Sequence, residues 1–301
     1  MRAAVLTRYG DVDALELRNI DEPQPGPGEV KVRITASSLN ALDVKLLGGA
    51  LKDWFPLKLP AILGFDASGE VVALGAGVSG FQIGDRVFGQ VRHGLAEYAT
   101  APVAVLARIP PGLSPVDAAA IPVVALTGAQ LIEEAIKPEA GARVLVTGAV
   151  GAVGRVAVYV ARALGARVIA GVRGRQLPEA SALAIDDVVA LDDAAAVERL
   201  PMLDAIADTV GGETVARLLP KLGPGGVLGS VVGAPPGVKE HITVRAIQVH
   251  SDARRLVELA EDVTRGKLVL PIAGRFPLAQ IRDAFRRAGQ GGGKVLVTAS
   301  I

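Results

Sequence analysis

The sequence predicts an α/β protein in which a doubly wound parallel sheet is joined to a second, β-rich unit. A glycine-containing turn lies between a predicted strand and a predicted helix in the middle of the chain. Short strands alternate with helical stretches after that turn, and many short strands separated by turn residues precede it. At 301 residues the chain is long enough for two domains of ordinary size.

The centre of the prediction is a strand–turn–helix–strand motif within residues 143–171. Residues 143–147 are short, apolar and β-branched, as in a buried parallel strand, and residues 155–164 form an apolar helix that Gly165 ends. Glycine has no Cβ, so the turn can take left-handed angles and bring backbone amides to an anion at the start of the helix. The expected pyrophosphate-binding residues are Gly148, Ala149, Val150, Gly151, Ala152, Val153 and Gly154. The alternative is a turn that packs the helix on the sheet without a ligand.

The loop after the second strand indicates which dinucleotide binds. An NAD site usually places a carboxylate there, about 20 residues after the first glycine. Residues 171–175 here read GVRGR, and the first carboxylate is Glu179. Arg173 and Arg175 can pair with a 2′-phosphate through charge-assisted hydrogen bonds, although two loop arginines can also simply be solvated. We therefore expect NADPH as the cofactor.

Composition excludes several other classes of protein. There is no apolar run long enough to span a membrane, and the first residues lack the pattern of a signal peptide. The 32 basic and 31 acidic residues nearly cancel, without a basic cluster for nucleic acid. The chain has no cysteine and only three histidines, His93, His241 and His250, which we expect to be neither zinc ligands nor catalytic. We expect a cytoplasmic protein that binds neither nucleic acid nor membranes.

The β-rich unit is predicted from both ends of the chain. Strands are expected at 2–7, 15–19 and 29–36, a loop and short helix at 37–45, and further short strands up to residue 107. A helix capped by Ser251 is expected over 251–265, and the tail has the character of the N-terminal part. The predicted domains are 1–115 with 267–301, and 116–266.

Several motifs in one order resemble the medium-chain dehydrogenase/reductase superfamily, specifically its zinc-free quinone oxidoreductase branch, the zeta-crystallin-like proteins. The motifs are PQPGPGEV at 23–30, SLNALD at 38–43, PAILGFDASGEV at 60–71, GDRVFG at 84–89, LAEY at 95–98, the glycine turn, and GKVLV at 293–297. The resemblance covers essentially the whole chain. It implies a GroES-like catalytic domain from both chain ends, a central Rossmann NADPH-binding domain, and a homodimer.

The resemblance also implies roles for particular residues. Zinc-dependent relatives have a cysteine near positions 37–40 and Gly-His-Glu where this chain has Gly-Phe-Asp at 64–66, so no metal is expected. Asn40 matches a residue that approaches the nicotinamide and the substrate, and Asp43 is expected to fix its loop. Lys45 is the departure, because many quinone reductases have tyrosine there. Its ammonium is expected to hold an enolate oxygen or a cofactor phosphate, unless it is merely solvated. Other residues matched to the cofactor site are Thr127, Val232, Gly233, Ala234 and Lys294.

The expected function is transfer of hydride from NADPH to a quinone without zinc. Reduction of an alkenal or enone is the alternative, and Lys45 favours it because plant-chloroplast enone reductases often read Asn-x-x-Asp-x-Lys. A second alternative is an NADPH-binding sensor or structural protein with little turnover. The loops at 89–94 and 233–242 are shorter than in relatives, so the substrate's size does not follow from the resemblance.

Overall fold

The computed structural model describes residues 1–183, 185–235, 237–238, 240 and 242–299. Its internal contacts divide the chain into two compact units. The first comprises Met1–Val124 with Ser251–Ile301, and the second comprises Ala125–His250. Residues 116–124 and 251–266 therefore lie in the first unit, although the sequence-based boundaries placed them in the nucleotide domain. The helix over 253–264 packs against the strand over 106–108, which explains its place there.

The strands follow one another from both ends of the chain into its middle. They are Arg2–Leu6 (β1), Leu15–Asn19 (β2), Glu29–Leu39 (β3), Ala61–Ile62 (β4), Asp66–Leu74 (β5), Arg86–Gln90 (β6), Tyr98–Pro102 (β7), Leu106–Arg108 (β8), Arg143–Thr147 (β9), Arg167–Val172 (β10), Asp187–Ala190 (β11), Leu203–Asp208 (β12), Leu222–Ser230 (β13), Thr243–Ala246 (β14), Ile272–Pro277 (β15) and Lys294–Thr298 (β16).

The helices are concentrated in the middle of the chain and near its end. They are Ala41–Leu47 (α1), Pro115–Ala118 (α2), Pro122–Gln130 (α3), Ala152–Ala163 (α4), Leu177–Ser181 (α5), Ala194–Glu198 (α6), Gly212–Ala216 (α7), Ala253–Thr264 (α8) and Ile281–Gly289 (α9). A π-helical stretch, Leu131–Ile136, continues α3.

The second unit is a doubly wound α/β domain. Its sheet has the order β11-β10-β9-β12-β13-β14, and every neighbouring pair is parallel. Renumbered within the unit, this order is 3-2-1-4-5-6, the arrangement of dinucleotide-binding domains, in which strand order reverses between β9 and β12. Buried aliphatic side chains such as Leu145, Ile206 and Leu228 fill the layer between sheet and helices. The predicted fold class is confirmed.

The first unit is built around the long strand β3. This strand pairs antiparallel with β16, β5 and β7, so the C-terminal tail is part of the same sheet as the N-terminal residues. The register sets Leu39 opposite Val295 and Ser38 opposite Asp66. A smaller sheet, β2-β1-β4, completes the unit. The ends of β3, β5 and β16 therefore meet at one edge.

Some sequence-based elements differ from those observed. β3 runs on to Leu39, where the sequence had predicted that the strand ends at residue 36, because residues 36–39 pair with β16 and β5. The predicted strand over 242–250 is a strand only at Thr243–Ala246. The N-cap of α8 is Asp252, whose carboxylate accepts from the Arg255 N–H, whereas the Ser251 hydroxyl donates to Gln90.

Candidate functional site

The turn over residues 148–154 has the shape that a dinucleotide pyrophosphate needs. Gly148 has φ of +63°, which favours glycine, and a Cβ there would lie 2.7 Å from the Thr209 hydroxyl. A Cβ on Gly154 would lie 2.1 Å from the Gly148 carbonyl oxygen, so only glycine lets α4 pack on the turn. Gly151 is the N-cap of α4, a twelve-residue helix whose first N–H groups have no intrahelical partners. The turn therefore offers an anion the start of a long helix.

Next to this turn, a buried carboxylate holds the ends of three strands, in what we call the Asp208 network. One Asp208 oxygen accepts from the Thr147 hydroxyl at 2.9 Å and from the backbone N–H groups of Val210 and Gly211. The other accepts from the Ser230 hydroxyl at 2.9 Å. All of these bonds come from neutral dipoles. The network fixes the carboxyl ends of β9, β12 and β13 at the point where strand order reverses.

The loop after β10 presents two cations. Arg173 and Arg175 are both exposed, and neither guanidinium has an ion-pair partner among the residues that the structure describes. The sequence missed one carboxylate here, since Asp192, which lies beyond β11, accepts from the Gly174 N–H at 2.7 Å. That carboxylate is thus engaged by the backbone of the same loop.

The remaining residues matched to the cofactor in the second unit lie in different surroundings. Val232 is 40% exposed, follows the end of β13, and donates its backbone N–H to Ser230 of the Asp208 network. Gly233 has φ of +98°, and Ala234 is exposed. Thr127 is buried on α3, and the next residue, Gly128, packs so closely on α4 that a Cβ would lie 2.6 Å from Val156.

The first unit contains a second buried assembly, which we call the Asp66 network. One Asp66 oxygen accepts from the Ser38 hydroxyl at 2.7 Å, the Asn40 amide Nδ2 at 2.8 Å and the Lys294 ammonium at 3.2 Å. The other accepts from the Val123 N–H, at the start of α3, at 2.7 Å. Lys294 also donates to Asn40 Oδ1 at 2.6 Å. Two residues that the sequence had singled out, Asn40 and Lys294, are thus brought together across 254 positions of sequence.

Asp43 supports this network from behind. Its carboxylate accepts from the backbone N–H of Asn40 at 2.9 Å and of Gly64 at 3.0 Å, which ties the start of α1 to the loop before β5. Burial raises the pKa of Asp43 from 3.8 to about 6, and the Asp66 carboxylate also raises it, while the two N–H groups and the Lys294 ammonium oppose that rise. Asp43 therefore positions the loop that carries Asn40.

Lys45 does not join the Asp66 network. It lies exposed on α1, five residues after Asn40, and in the described part of the chain its ammonium has no ion-pair partner. The cation next to Asn40 is Lys294 instead. β16 brings it there after a glycine run in which Gly293 has φ of +138°, and a Cβ on Gly293 would lie 2.5 Å from the Pro271 carbonyl oxygen.

The side chains of the Asp66 network do not suit zinc. They are a hydroxyl, an amide, one carboxylate and an ammonium, whereas zinc prefers thiolate and imidazole ligands. The ammonium competes with any metal cation for the carboxylate. Within residues 1–183, 185–235, 237–238, 240 and 242–299, no group of three or more His, Asp or Glu side chains is placed to hold a metal ion.

Two of the three histidines lie among the described residues, and His241 lies outside them. His93 has φ of 64°, which is uncommon for a residue other than glycine. His250 has partners that the sequence did not suggest. Its Nε2 lies 2.9 Å from a Glu134 oxygen, and its backbone carbonyl accepts from the Gln130 amide at 2.8 Å.

Two families match different parts of the chain. The alcohol dehydrogenase GroES-like domain matches residues 26–111, and a family described as zinc-binding dehydrogenase matches residues 183–297. A chloroplast envelope quinone oxidoreductase homolog of Arabidopsis thaliana is 30% identical over 325 residues, which cover 99% of this chain and 98% of that protein. This chain belongs to the medium-chain dehydrogenase/reductase superfamily, in its quinone oxidoreductase branch. It is an oxidoreductase with the nucleotide-binding fold of that superfamily.

Solved structures of the superfamily resemble this chain over its whole length. An NAD-dependent alcohol dehydrogenase has a TM-score of 0.89 at 30% identity and full coverage of both chains. The quinone oxidoreductase from Coxiella burnetii has a TM-score of 0.90 at 25% identity, covering 100% of this chain and 99% of that one.

Two further members of the superfamily concern the acceptor and the cofactor. The CurK enoyl reductase has a TM-score of 0.86 at 26% identity, with 99% of this chain and 98% of that one covered. A mycobacterial protein complexed with NADPH has a TM-score of 0.87 at 26% identity, with 99% and 100% covered. No helix in the described part of the chain is both long and apolar enough to cross a bilayer.

Proposed function

We propose that this protein is an NADPH-dependent quinone oxidoreductase that transfers hydride from NADPH to a quinone without zinc. The observation that carries the proposal is the pairing of the 148–154 turn with two exposed, unpaired arginines at the end of the next strand. The turn accommodates a pyrophosphate, and Arg173 and Arg175 suit a 2′-phosphate. The quinone oxidoreductases among the relatives support the acceptor, and the neighbour complexed with NADPH supports the cofactor.

Under this proposal the protein contributes binding, orientation and electrostatics. NADPH, when bound, supplies the hydride, and reduction of a quinone to its hydroquinone also takes up one proton from solvent. The Asp208 network would hold the loops that receive the nucleotide, with Thr127, Val232, Gly233 and Ala234 toward its nicotinamide half. Asn40 would contact the acceptor.

Zinc independence is part of the proposal, because the Asp66 network offers an ammonium and an amide where a metal would need thiolate or imidazole. We expect treatment with EDTA or phenanthroline, followed by desalting, to leave turnover unchanged. Elemental analysis should find no stoichiometric zinc. Loss of activity on chelation with recovery on adding zinc would contradict this part.

Enone reduction is the second candidate, favoured by the enoyl reductase neighbour and by the Asn40–Asp43–Lys45 spacing. In that case Lys45, exposed on α1, would hold the enolate oxygen. Lys45→Ala should then lower turnover of a small enone about 10-fold or more, as loss of a charge at a developing oxyanion does. Unchanged turnover would remove Lys45 from the mechanism.

The acceptor is decided by following NADPH oxidation by the purified protein with a benzoquinone and with a small enone separately, with NADH as control. Oxidation driven by the quinone supports the proposal, and oxidation driven by the enone alone supports the second candidate. Tight NADPH binding without turnover of either acceptor would indicate a sensor or structural protein. We also propose a cytoplasmic homodimer, which sedimentation equilibrium tests directly.

A further inference from the structure

The Asn40 side chain is held at both ends of its amide by groups of opposite charge. Its oxygen accepts from the Lys294 ammonium at 2.6 Å, and its nitrogen donates to the Asp66 carboxylate at 2.8 Å. Lys294 is 3% exposed and Asp66 is fully buried, so water hardly screens either contact. This is an expensive arrangement for an ordinary loop residue.

Asn40 also gives up the local role that asparagine usually plays at its position. It is the N-cap of α1, where an asparagine side chain normally accepts from a backbone N–H of the first turn. Its side chain makes no such bond here, and Asp43 instead accepts from the Asn40 N–H. The amide is therefore free to face Lys294 and Asp66.

The two charges determine which way the amide points. If the amide were rotated by 180°, its NH₂ group would face the ammonium and its oxygen would face the carboxylate, and both contacts would be repulsive. In the observed orientation one Nδ2 proton goes to Asp66, and no acceptor in the described part of the chain takes the other. An ammonium on the oxygen draws electron density from the amide and strengthens its N–H as a donor.

We propose that Lys294 and Asp66 are positioning residues that hold Asn40 as a hydrogen-bond donor for the carbonyl oxygen of the acceptor. The inference rests on the proposed reductase function, because charge develops on that oxygen when the acceptor receives hydride. A fixed donor aimed at such an oxygen stabilises the transition state. Lys294 then acts through Asn40, whereas the family resemblance suggested that it contacts the cofactor.

The first test is spectroscopic and needs no turnover. The side-chain NH₂ resonances of Asn40 are identified by their loss in Asn40→Ala, and those of Gln130, which bonds His250 in the other unit, serve as a reference. We expect a benzoquinone or a small enone to shift the Asn40 resonances of the wild-type protein and not those of Gln130. If neither probe shifts them, the proposal is wrong, even if the enzyme is active.

The second test separates positioning from cofactor binding. Lys294→Met alone leaves Asp66 unpaired and is prone to misfolding, so the informative variant is Lys294→Met/Asp66→Asn, which removes both charges. We expect its kcat to fall about 10- to 100-fold while the dissociation constant of NADPH stays unchanged, since a donor is misaligned and no phosphate contact is lost. Its Asn40 resonances should also move from their wild-type positions.

The matched control is Lys31→Met, because Lys31 is another buried lysine of the same unit and pairs with Glu22 at 2.6 Å. It should change neither kcat nor the Asn40 resonances. A double variant that folds with wild-type kcat would overturn the proposal, as would one that weakens NADPH binding with kcat preserved. If the wild-type protein shows the probe shift but oxidises no NADPH, the proposed function fails and the donor assignment stands.

Discussion

Each unit of the molecule contains one fully buried aspartate at the end of a strand, and the two are satisfied differently. Asp66 bonds an ammonium, an amide, a hydroxyl and a backbone N–H, whereas Asp208 bonds two hydroxyls and two backbone N–H groups. The first network contains a buried ion pair. The second contains a single charge surrounded by dipoles.

The difference teaches what each network is suited to do. A buried ion pair contributes little net stability, since desolvation of both charges offsets their attraction, but it fixes orientation strongly. The Asp66 network is thus suited to holding a reactive amide in one orientation. Dipoles contributed by loops tie those loops together, so the Asp208 network is suited to shaping a cradle.

The largest effect should come from breaking the ion pair. Lys294→Met leaves the Asp66 carboxylate buried without a counter-charge, and we expect unfolding free energy to fall by about 3–5 kcal/mol. Adding Asp66→Asn should recover most of that loss. Urea denaturation of the single and double variants checks both expectations, and a double variant no more stable than the single one would show that packing, not charge, dominates here.

The next effect is a pH dependence at Asp43, whose pKa is raised to about 6 in the folded protein from 3.8. A carboxyl with a raised folded-state pKa binds its proton more tightly when folded, so its contribution to stability is complete below pH 3.8 and is lost as pH rises to about 6. Relative to Asp43→Asn, the wild-type protein should therefore lose about 3 kcal/mol between these pH values.

Urea denaturation of both proteins across that pH range measures this difference. Because Asp43→Asn removes only this titrating group, the other carboxyls cancel in the comparison. A difference in stability that is flat with pH would contradict the raised pKa.

A smaller effect is expected in the network without an ion pair. Asp208→Asn keeps the size of the side chain but removes one acceptor, and should cost about 1–3 kcal/mol of stability. It should also weaken NADPH binding, because the loops after β9, β12 and β13 lose their common partner. The control is Asp204→Asn on the same strand, where the exposed carboxylate accepts only from the Arg143 N–H. Equal losses in the two variants would contradict a special role for Asp208.

The smallest stability effect and a large binding effect are expected at the exposed arginines. Arg173→Ala/Arg175→Ala should leave unfolding free energy nearly unchanged. Loss of a charge-assisted phosphate contact should weaken NADPH binding about 10- to 100-fold, with NADH binding unaffected. Titration of both nucleotides into both proteins checks this, and an equal loss for NADH would mean that the arginines do not read the 2′-phosphate.

These contrasts also explain which features the sequence could predict. The 148–154 turn depends on glycines within a few residues of one another and on the strand and helix beside them, so its place was readable. The partner of Asn40 was not. From sequence the obvious cation was Lys45, five positions away, but it lies exposed on α1, while β16 brings Lys294 into contact. Antiparallel pairing between the two chain ends decides this, and no local pattern encodes it.

The Asp208 network was equally hidden, because hydroxyls from β9 and β13 meet the carboxylate only once the parallel register is set. Sequence also missed Asp192, which reaches the loop after β10 from the end of the neighbouring strand. Residues whose role depends on one element were found, and residues whose role depends on the register of two strands were not.

The central claim is that the second unit selects the cofactor while Asn40 in the first activates the acceptor. The direct measurement is steady-state NADPH oxidation with a benzoquinone by the wild-type protein, Asn40→Ala and Arg173→Ala/Arg175→Ala, with kcat and the KM for NADPH determined separately. The account predicts that Asn40→Ala lowers kcat with little change in KM for NADPH, and that the arginine variant raises that KM with kcat preserved. If both variants change the same constant, or if neither changes any, the division of roles is contradicted.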